Sequence, residues 1–178
     1  MTCFGDDIRG KALNFTLVDK IEELVSGKTI RAIKQVSMAE EYLADHFPGF
    51  PVLPGVMMLE CAIETAAWLI HEHLHFAPGL VILKEARQIR YGHFVSPGQT
   101  LTVTADVLRL APDASEFKVR GVVGSATAIQ GRITLAHIRL GEQDAALAGT
   151  DEKMINRRKS LWETVKPRPG TALSAGER

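Results

Sequence analysis

The longest apolar stretch of the chain, residues 56–76, restricts the possible folds more than any other feature. It reads VMMLECAIETAAWLIHEHLHF and as a helix would be long enough to cross a bilayer. Three glutamates, Glu60, Glu64 and Glu72, lie within it, however, and charged groups at a bilayer centre are costly. A helix that is apolar on nearly all sides belongs instead in the middle of a protein core. We therefore predict one long central helix and no insertion into a membrane.

Prolines and glycines set the expected limits of this helix. Pro48, Pro51 and Pro54 keep the preceding segment out of regular structure. Because proline is tolerated at a helix start but not in a helix interior, the helix is predicted to begin near Gly55 or Val56. The Pro78-Gly79 pair is predicted to end it.

Most of the remaining chain up to residue 140 has the pattern of β-strands. Turns are predicted around Gly27, Pro97-Gly98 and Pro112-Asp113, and a tight hairpin at Gln130-Gly131. The predicted strand segments are residues 15–21, 29–36, 80–83, 88–94, 101–107, 117–129 and 132–140. One long helix placed among several antiparallel strands indicates an α+β fold.

The hydrophobic periodicity fades after Gly141. We predict a short helix over residues 153–165 and a disordered tail over residues 167–178. The expected organisation is an N-terminal segment, residues 1–12, a single domain over residues 13–141, and a partly disordered C-terminal extension, residues 142–178.

Composition excludes some classes of function. The formal net charge is zero, which gives no electrostatic reason to expect a nucleic acid as the main partner. The two cysteines, Cys3 and Cys61, form no disulfide framework, and the first ten residues are too polar for a signal peptide. The expected compartment is therefore the reducing cytoplasm.

A histidine loop precedes the long helix and supplies candidate chemistry. The segment HFPGFPVLPGVMMLE runs from His46 to Glu60. An imidazole that titrates near neutrality and a carboxyl group in an apolar setting form the smallest pair that can perform general acid–base chemistry.

This segment resembles the active-site region of the beta-hydroxyacyl-[acyl-carrier-protein] dehydratases of fatty acid synthesis. The likeness rests on the HFPG loop, the second Pro-Gly pair and the acidic residue at the family spacing. Weaker likeness extends over residues 13–140, including residues 15–21, 33–37, 87–91 and 95–98. It implies the hot-dog fold, in which an antiparallel sheet wraps around one long central helix.

The resemblance also implies a reaction and the residues that perform it. A (3R)-hydroxyacyl thioester on acyl carrier protein loses water and becomes a trans-2-enoyl thioester. His46 would remove the proton from C2, and Glu60 of another subunit would protonate the departing hydroxyl group. A homodimer or a trimer of dimers is therefore expected, whereas a metal or an organic cofactor is not.

Further residues are assigned to substrate binding by the same resemblance. The amides of Gly55 and Val56 would hydrogen-bond the thioester oxygen, since free N–H groups at a helix start suit developing negative charge. Tyr91 and Phe94 would line the acyl tunnel, although ordinary core packing explains them equally well.

The chain departs from the family pattern at three places. Glu64 stands where the family usually has Gln, residues 9–14 lack the usual signature, and the chain continues past Leu140 for longer than a minimal dehydratase. Positions 60 and 64 share a helical face, and two carboxylates there discourage double ionisation. One hypothesis is that Glu64 keeps a proton on the pair and belongs to the substrate site; a structural hydrogen-bonding role is the other.

Several alternatives remain open from the sequence. A hot-dog acyl thioesterase would share the fold but activate water, and a non-catalytic acyl-binding subunit would keep the fold without turnover. His71, His73 and His75 alternate, but only the first and third would share a helical face, so a metal site is disfavoured. Residues 157–159, Arg-Arg-Lys, form a small basic group that is more typical of a solvated surface than of a carrier-protein site.

Overall fold

A computed structural model describes residues 16–47 and 49–168 of the chain. Six antiparallel strands form one sheet, in the order β1-β2-β4-β5-β6-β3. The strands are β1 (Lys20–Val25), β2 (Thr29–Gln35), β3 (Leu80–Tyr91), β4 (Thr100–Leu110), β5 (Ala114–Val123) and β6 (Ala126–Ile138). The helices are α1 (Tyr42–Asp45), α2 (Gly55–His73), α3 (Leu140–Gln143) and α4 (Ala148–Val165), with a 3-10 turn at Ala145–Leu147.

The central helix α2 confirms the main prediction from the sequence. It contacts every strand from β2 to β6. Its own residues Trp68, Leu69 and Ile70 are completely buried against these neighbours. The chain is therefore an α+β protein in which an antiparallel sheet encloses one long helix. In the part of the chain that the structure describes, no helix is both long and apolar enough to cross a membrane.

The start of α2 is confirmed at Gly55, whereas its end comes earlier than Pro78-Gly79. The last helical residue is His73. His75 and Phe76 then adopt positive φ angles of 51° and 61°, and the Phe76 N–H donates to the His71 carbonyl at 2.6 Å. This left-handed closure satisfies the final carbonyls of the helix, so the chain has already turned when it reaches the proline.

The predicted hairpin at Gln130-Gly131 is wrong. The two-residue turn lies at Gly124-Ser125, between the paired residues Val123 and Ala126, and Gly124 has the positive φ of 57° that such a turn requires. Gly131 lies instead in the middle of β6. A Cβ added there would lie 2.5 Å from the Ile89 Cδ1 atom, because a bulge in β3 presses against β6 at this point.

Strand β3 is one continuous edge strand where the sequence predicts two separate segments. Its twelve residues pair with β6 on one side only, so its other side presents unpaired backbone groups. Most of its side chains are exposed. An edge strand of this length is available for pairing with another chain.

Helix α4 covers part of the outer surface of α2 and is longer than the predicted helix over residues 153–165. The ring of Trp162 lies 5.9 Å from that of Trp68 and 6.0 Å from that of Phe76, centroid to centroid. Asp151 accepts a hydrogen bond of 2.7 Å from the Gly141 N–H. The predicted disorder falls mostly on residues 169–178, which lie outside the described residues.

Candidate functional site

The start of α2 offers hydrogen-bond donors at a fixed position. The N–H groups of Met57 and Met58 both donate to the Pro54 carbonyl, at 2.9 and 3.1 Å. The preceding amides, those of Gly55 and Val56, belong to the first turn, where N–H groups have no acceptor within the helix. The helix dipole adds a partial positive charge at the same end. This end can therefore stabilise an oxygen on which negative charge develops.

The segment before α2 is held to the connection between β3 and β4, which fixes the position of the helix start. Val52 and Leu53 are almost completely buried, and the Leu53 N–H donates to the Val95 carbonyl at 2.8 Å. Pro54 follows as the residue that caps the helix. Because proline fixes its own φ angle, Pro51 and Pro54 add local rigidity on either side of this contact.

Tyr91, at the end of β3, lies directly against the first residue of α2. A Cβ added to Gly55 would lie 3.2 Å from the Cε1 atom of Tyr91. Half of Tyr91 is exposed, and the burial of the rest raises the pKa of its phenol group. The structure thus brings Tyr91 and Gly55 together, although they are distant in the sequence.

Apolar side chains surround this helix start and are exposed in the single chain. The ring of Phe50 meets that of Phe94 edge to face, 5.8 Å apart, and Phe47 lies beside His46 with 4.3 Å between the ring centroids. We call this group the apolar rim; its members, each at least half exposed, are Phe47, Phe50, Val56, Tyr91 and Phe94. An exposed apolar group of this kind is typical of a binding or assembly surface.

His46 and Glu60 are not brought into contact within one chain. His46 is partly buried in the loop after α1, and Glu60 is exposed on α2. The apolar environment expected for Glu60 is therefore absent from the single chain.

Glu64 is the glutamate of α2 that is buried, at 8% exposure. Its Oε2 atom accepts hydrogen bonds from the N–H groups of Leu17, at 2.6 Å, and Val18, at 3.1 Å. Burial raises the pKa of this carboxyl group, against the opposing effect of the two hydrogen bonds and of Arg158. Of the two roles open from the sequence, these contacts support the structural one.

The sequence did not indicate that two further polar residues, Arg158 and His71, lie near Glu64 on the same side of α2. Arg158 of α4 lies over the Trp68 ring, with its Cζ atom 5.1 Å from the centroid. His71 is 1% exposed and stacks on Phe76 at 5.9 Å; burial lowers its pKa to about 3. Spacing along α2 of three or four residues, from Glu64 to Trp68 to His71, is the signal that places the three side chains on one face.

The three alternating histidines diverge in the structure. The buried His71 stacks on Phe76, which in turn contacts Trp162 of α4. The Nδ1 atom of His73 lies 3.3 Å from the Ser26 Oγ atom. His75 is exposed, in the turn after the helix. Among the described residues, no group of three potential ligands is close enough to hold a metal ion.

The chain resembles known proteins both in sequence and in structure. The profile of the ApeI-like family, described as "ApeI dehydratase", matches residues 22–132. The 3-hydroxyacyl-[acyl-carrier-protein] dehydratase FabZ of Variovorax paradoxus (strain S110) is 35% identical over 125 residues, which are 68% of this chain and 83% of the relative. FabZ of Ralstonia nicotianae is 36% identical over 123 residues, 67% of this chain and 75% of the relative.

Solved structures share the same architecture at low sequence identity. The dehydratase heterocomplex ApeI:P from Xenorhabdus doucetiae matches with a TM-score of 0.60 and 17% identity, over 74% of this chain and 89% of that one. The PaaI protein of E. coli matches with a TM-score of 0.51 and 15% identity, over 67% and 79%. A mutant of the thioesterase PA1618 from Pseudomonas aeruginosa has a TM-score of 0.52 and 14% identity, over 65% and 78%. These structural matches establish the fold alone.

Proposed function

Since the chain belongs to the family of hot-dog 3-hydroxyacyl-[acyl-carrier-protein] dehydratases, we propose that it converts a (3R)-hydroxyacyl thioester on acyl carrier protein into the trans-2-enoyl thioester. It is thus a lyase of fatty acid or related lipid synthesis. The observation that carries this proposal is the start of α2, where Gly55 lies beside the Tyr91 ring. In the sequence, the histidine loop leads directly into this helix start.

The proposed reaction uses two side chains and two amides. His46 takes the proton from C2 of the substrate, and the electron pair moves toward the thioester carbonyl. The amides of Gly55 and Val56 stabilise the resulting enolate-like oxygen, a contribution of about a few kcal/mol for each well-placed donor. Glu60 then gives a proton to the 3-hydroxyl group, which leaves as water while the C2–C3 double bond forms. This chemistry requires neither a metal nor an organic cofactor.

We propose a homodimer, alone or as the unit of a trimer of dimers, as the active assembly. Among the described residues of one chain, no ion pair joins His46 and Glu60, which supports a site completed by a second copy. The apolar rim and the unpaired edge of β3 are both exposed in the single chain. Pairing of two β3 strands would bury them together. Each Glu60 would then be contributed to the site of the other copy.

A thioesterase is the second candidate, because one structural match is a thioesterase. Its identity of 14% supports only the shared fold. The relatives that match in sequence, at 35% and 36% identity, are dehydratases. We therefore favour the loss of water over hydrolysis of the thioester bond.

The deciding experiment is hydration of a crotonyl thioester, the reverse of the proposed reaction. Loss of the enoyl absorbance with formation of the 3-hydroxy product is expected, and both His46→Ala and Glu60→Gln should abolish it. Replacement of the exposed Glu163, which lies on α4, by Gln serves as the matched control. Release of free thiol in place of hydration would identify a thioesterase, and no turnover would indicate a binding subunit.

A further inference from the structure

Lys34 is a buried cation on the inner face of β2, and the proposed chemistry does not use it. It follows Ile30 and Ala32 at two-residue spacing, and side chains at that spacing point to the same face of a strand. All three residues are almost completely buried, with Lys34 at 5% exposure. An ammonium group is costly to bury unless a counter-charge contacts it. A lysine at this place therefore requires a carboxylate at a fixed position.

Two carboxylates lie near the Lys34 ammonium group. Its Nζ atom donates to the Glu40 Oε1 atom at 2.5 Å and lies 3.9 Å from the Asp19 Oδ1 atom. Asp19 is held in turn, because its Oδ2 atom accepts from the Gln35 N–H at 2.6 Å. The shorter pair, with Glu40, joins β2 to the turn that follows it.

Glu40 lies at the start of the segment that carries His46. Its N–H donates to the Ser37 carbonyl at 3.2 Å, and its carbonyl accepts from the Leu43 N–H at 3.1 Å. Leu43 is buried in α1, and His46 is the residue directly after α1. Burial, and after it the Glu40 carboxylate, raise the pKa of the Tyr42 phenol group of α1. Both the side chain and the backbone of Glu40 therefore contribute to the direction in which α1 leaves the sheet.

Backbone contacts hold the two ends of this segment. Hydrogen bonds of 2.8 Å join Val36 and Leu53 to the connection between β3 and β4. Among the residues whose side chains the structure describes, Lys34–Glu40 is the one ion pair between residues 37–52 and the sheet. Loss of this pair would release the middle of the segment while both of its ends stay attached.

We propose that Lys34 is a positioning residue of the dehydration reaction: through its pair with Glu40, it holds the turn before α1 so that His46 faces C2 of the substrate. This rests on the proposed function, since His46 is the base of that reaction. Displacement of a reacting group by about 1 Å can lower the rate about a hundredfold. Because Lys34 acts through the turn and not on the substrate, its loss should reduce kcat and leave KM nearly constant.

Arg31 provides a matched control on the same strand. It pairs with Glu22 and Glu23 of β1, at 3.4 and 3.3 Å, and neither partner belongs to the histidine segment. Arg31→Met and Lys34→Met thus each remove from β2 a cation that forms ion pairs, but only the second acts on the turn before α1. Methionine is unbranched and flexible, so it can fill the space of the lysine stem.

The test is hydration of the crotonyl thioester by variants that circular dichroism shows to be fully folded at the assay temperature. Lys34→Met should lower kcat about tenfold or more with KM within about twofold, whereas Arg31→Met should change neither. Glu40→Ala should act like Lys34→Met, and the double variant should lose no more than the larger single loss, since both changes remove one pair. Glu40→Gln, whose amide oxygen can still accept from Lys34, should lose less.

A local measurement separates positioning from a general loss of stability. Hydrogen exchange at the amides of residues 40–47 should be faster in Lys34→Met than in Arg31→Met, while exchange in β4 and β5 stays the same. Unchanged kcat in the folded Lys34→Met protein, a rise in KM alone, or equally faster exchange along the whole chain would overturn the proposal.

Two further outcomes are decided by the same measurements. If Lys34→Met does not fold, Glu40→Ala is compared with Glu40→Gln, and equal kcat values in the two would overturn the proposal. If the unmodified protein does not hydrate the crotonyl thioester, the proposed function fails. Exchange then decides the role of Lys34 by itself: a local increase at residues 40–47 would support its hold on the histidine segment, and equal exchange in Lys34→Met and Arg31→Met would overturn it.

Discussion

The Glu64 carboxylate accepts a hydrogen bond of 2.6 Å from the N–H of Leu17, which lies 47 residues earlier in the chain. The Val18 N–H donates to the same oxygen atom at 3.1 Å. One side chain of the central helix thus anchors the segment that leads into β1. The amide oxygen of a Gln at this position could accept the same two bonds.

Replacement of Glu64 by Ala should destabilise the protein by about 2–3 kcal/mol, because two buried N–H groups lose their acceptor. Glu64→Gln should cost less, since the amide oxygen keeps both bonds. Chemical denaturation measures both free energies of unfolding. Equal costs for the two variants would contradict the anchoring role.

Glu64→Gln also tests the effect of pH, in comparison with the unmodified protein. The pKa of Glu64 is raised in the folded state, so folding favours the protonated carboxyl group. Its contribution to stability is complete below the ordinary Glu pKa and is lost as the pH rises through the raised value. Unmodified protein should lose stability over this window, and Glu64→Gln should lose less. We expect the pH profile of activity to keep its shape in Glu64→Gln; a shifted profile would instead support the hypothesis of a shared proton.

His71→Phe should make the protein more resistant to acid. Burial lowers the pKa of His71 to about 3, so its contribution to stability is complete above the ordinary His pKa. That contribution declines as the pH falls from there toward the folded-state value. Phenylalanine keeps the stack on Phe76 and has no charge to acquire. Unfolding curves at neutral pH and at about pH 4 measure the difference, and an equal loss in both proteins would contradict the explanation.

Mixing two inactive variants should restore activity if each site takes residues from two copies. A dimer of one His46→Ala chain and one Glu60→Gln chain has one site with both residues intact. When two equal pools exchange subunits at random, half of the dimers are mixed, so about a quarter of full activity is expected. Activity measured before and after unfolding and refolding of the mixture gives the answer. No recovery in refolded dimers would place both residues of a site on one chain.

Gly55→Ala should alter substrate binding more than stability. The new Cβ would lie 3.2 Å from Tyr91, a half-exposed ring that can move by a few tenths of an ångström, so the free energy of unfolding should change by less than about 1 kcal/mol. The displaced ring should raise the KM for acyl thioesters. In a double-mutant cycle, the effects of Gly55→Ala and Tyr91→Ala on KM should be strongly non-additive. Additive effects would show that the two residues do not act on each other.

Much of the fold was predictable because its signals are local. Pro54 sets the start of α2 through its own backbone geometry, and the alternation of residues 101–107 indicates a strand without reference to any partner. The motif from His46 to Glu60 likewise pointed to the family that the sequence relatives confirm.

The features that only the tertiary structure decided depend on contacts between distant residues. Gly131 resembles a turn residue in the sequence, but its lack of a Cβ makes room for the β3 bulge at Ile89. Arg158 belongs to a run of basic residues, yet it is drawn inward by Trp68 and Glu64. Strand register brings Arg90, Arg120 and Gln130 together from three separate segments. The hydrophobic periodicity of a segment indicates which of its sides faces the core. Which distant residues that side contacts depends on the packing of the whole chain.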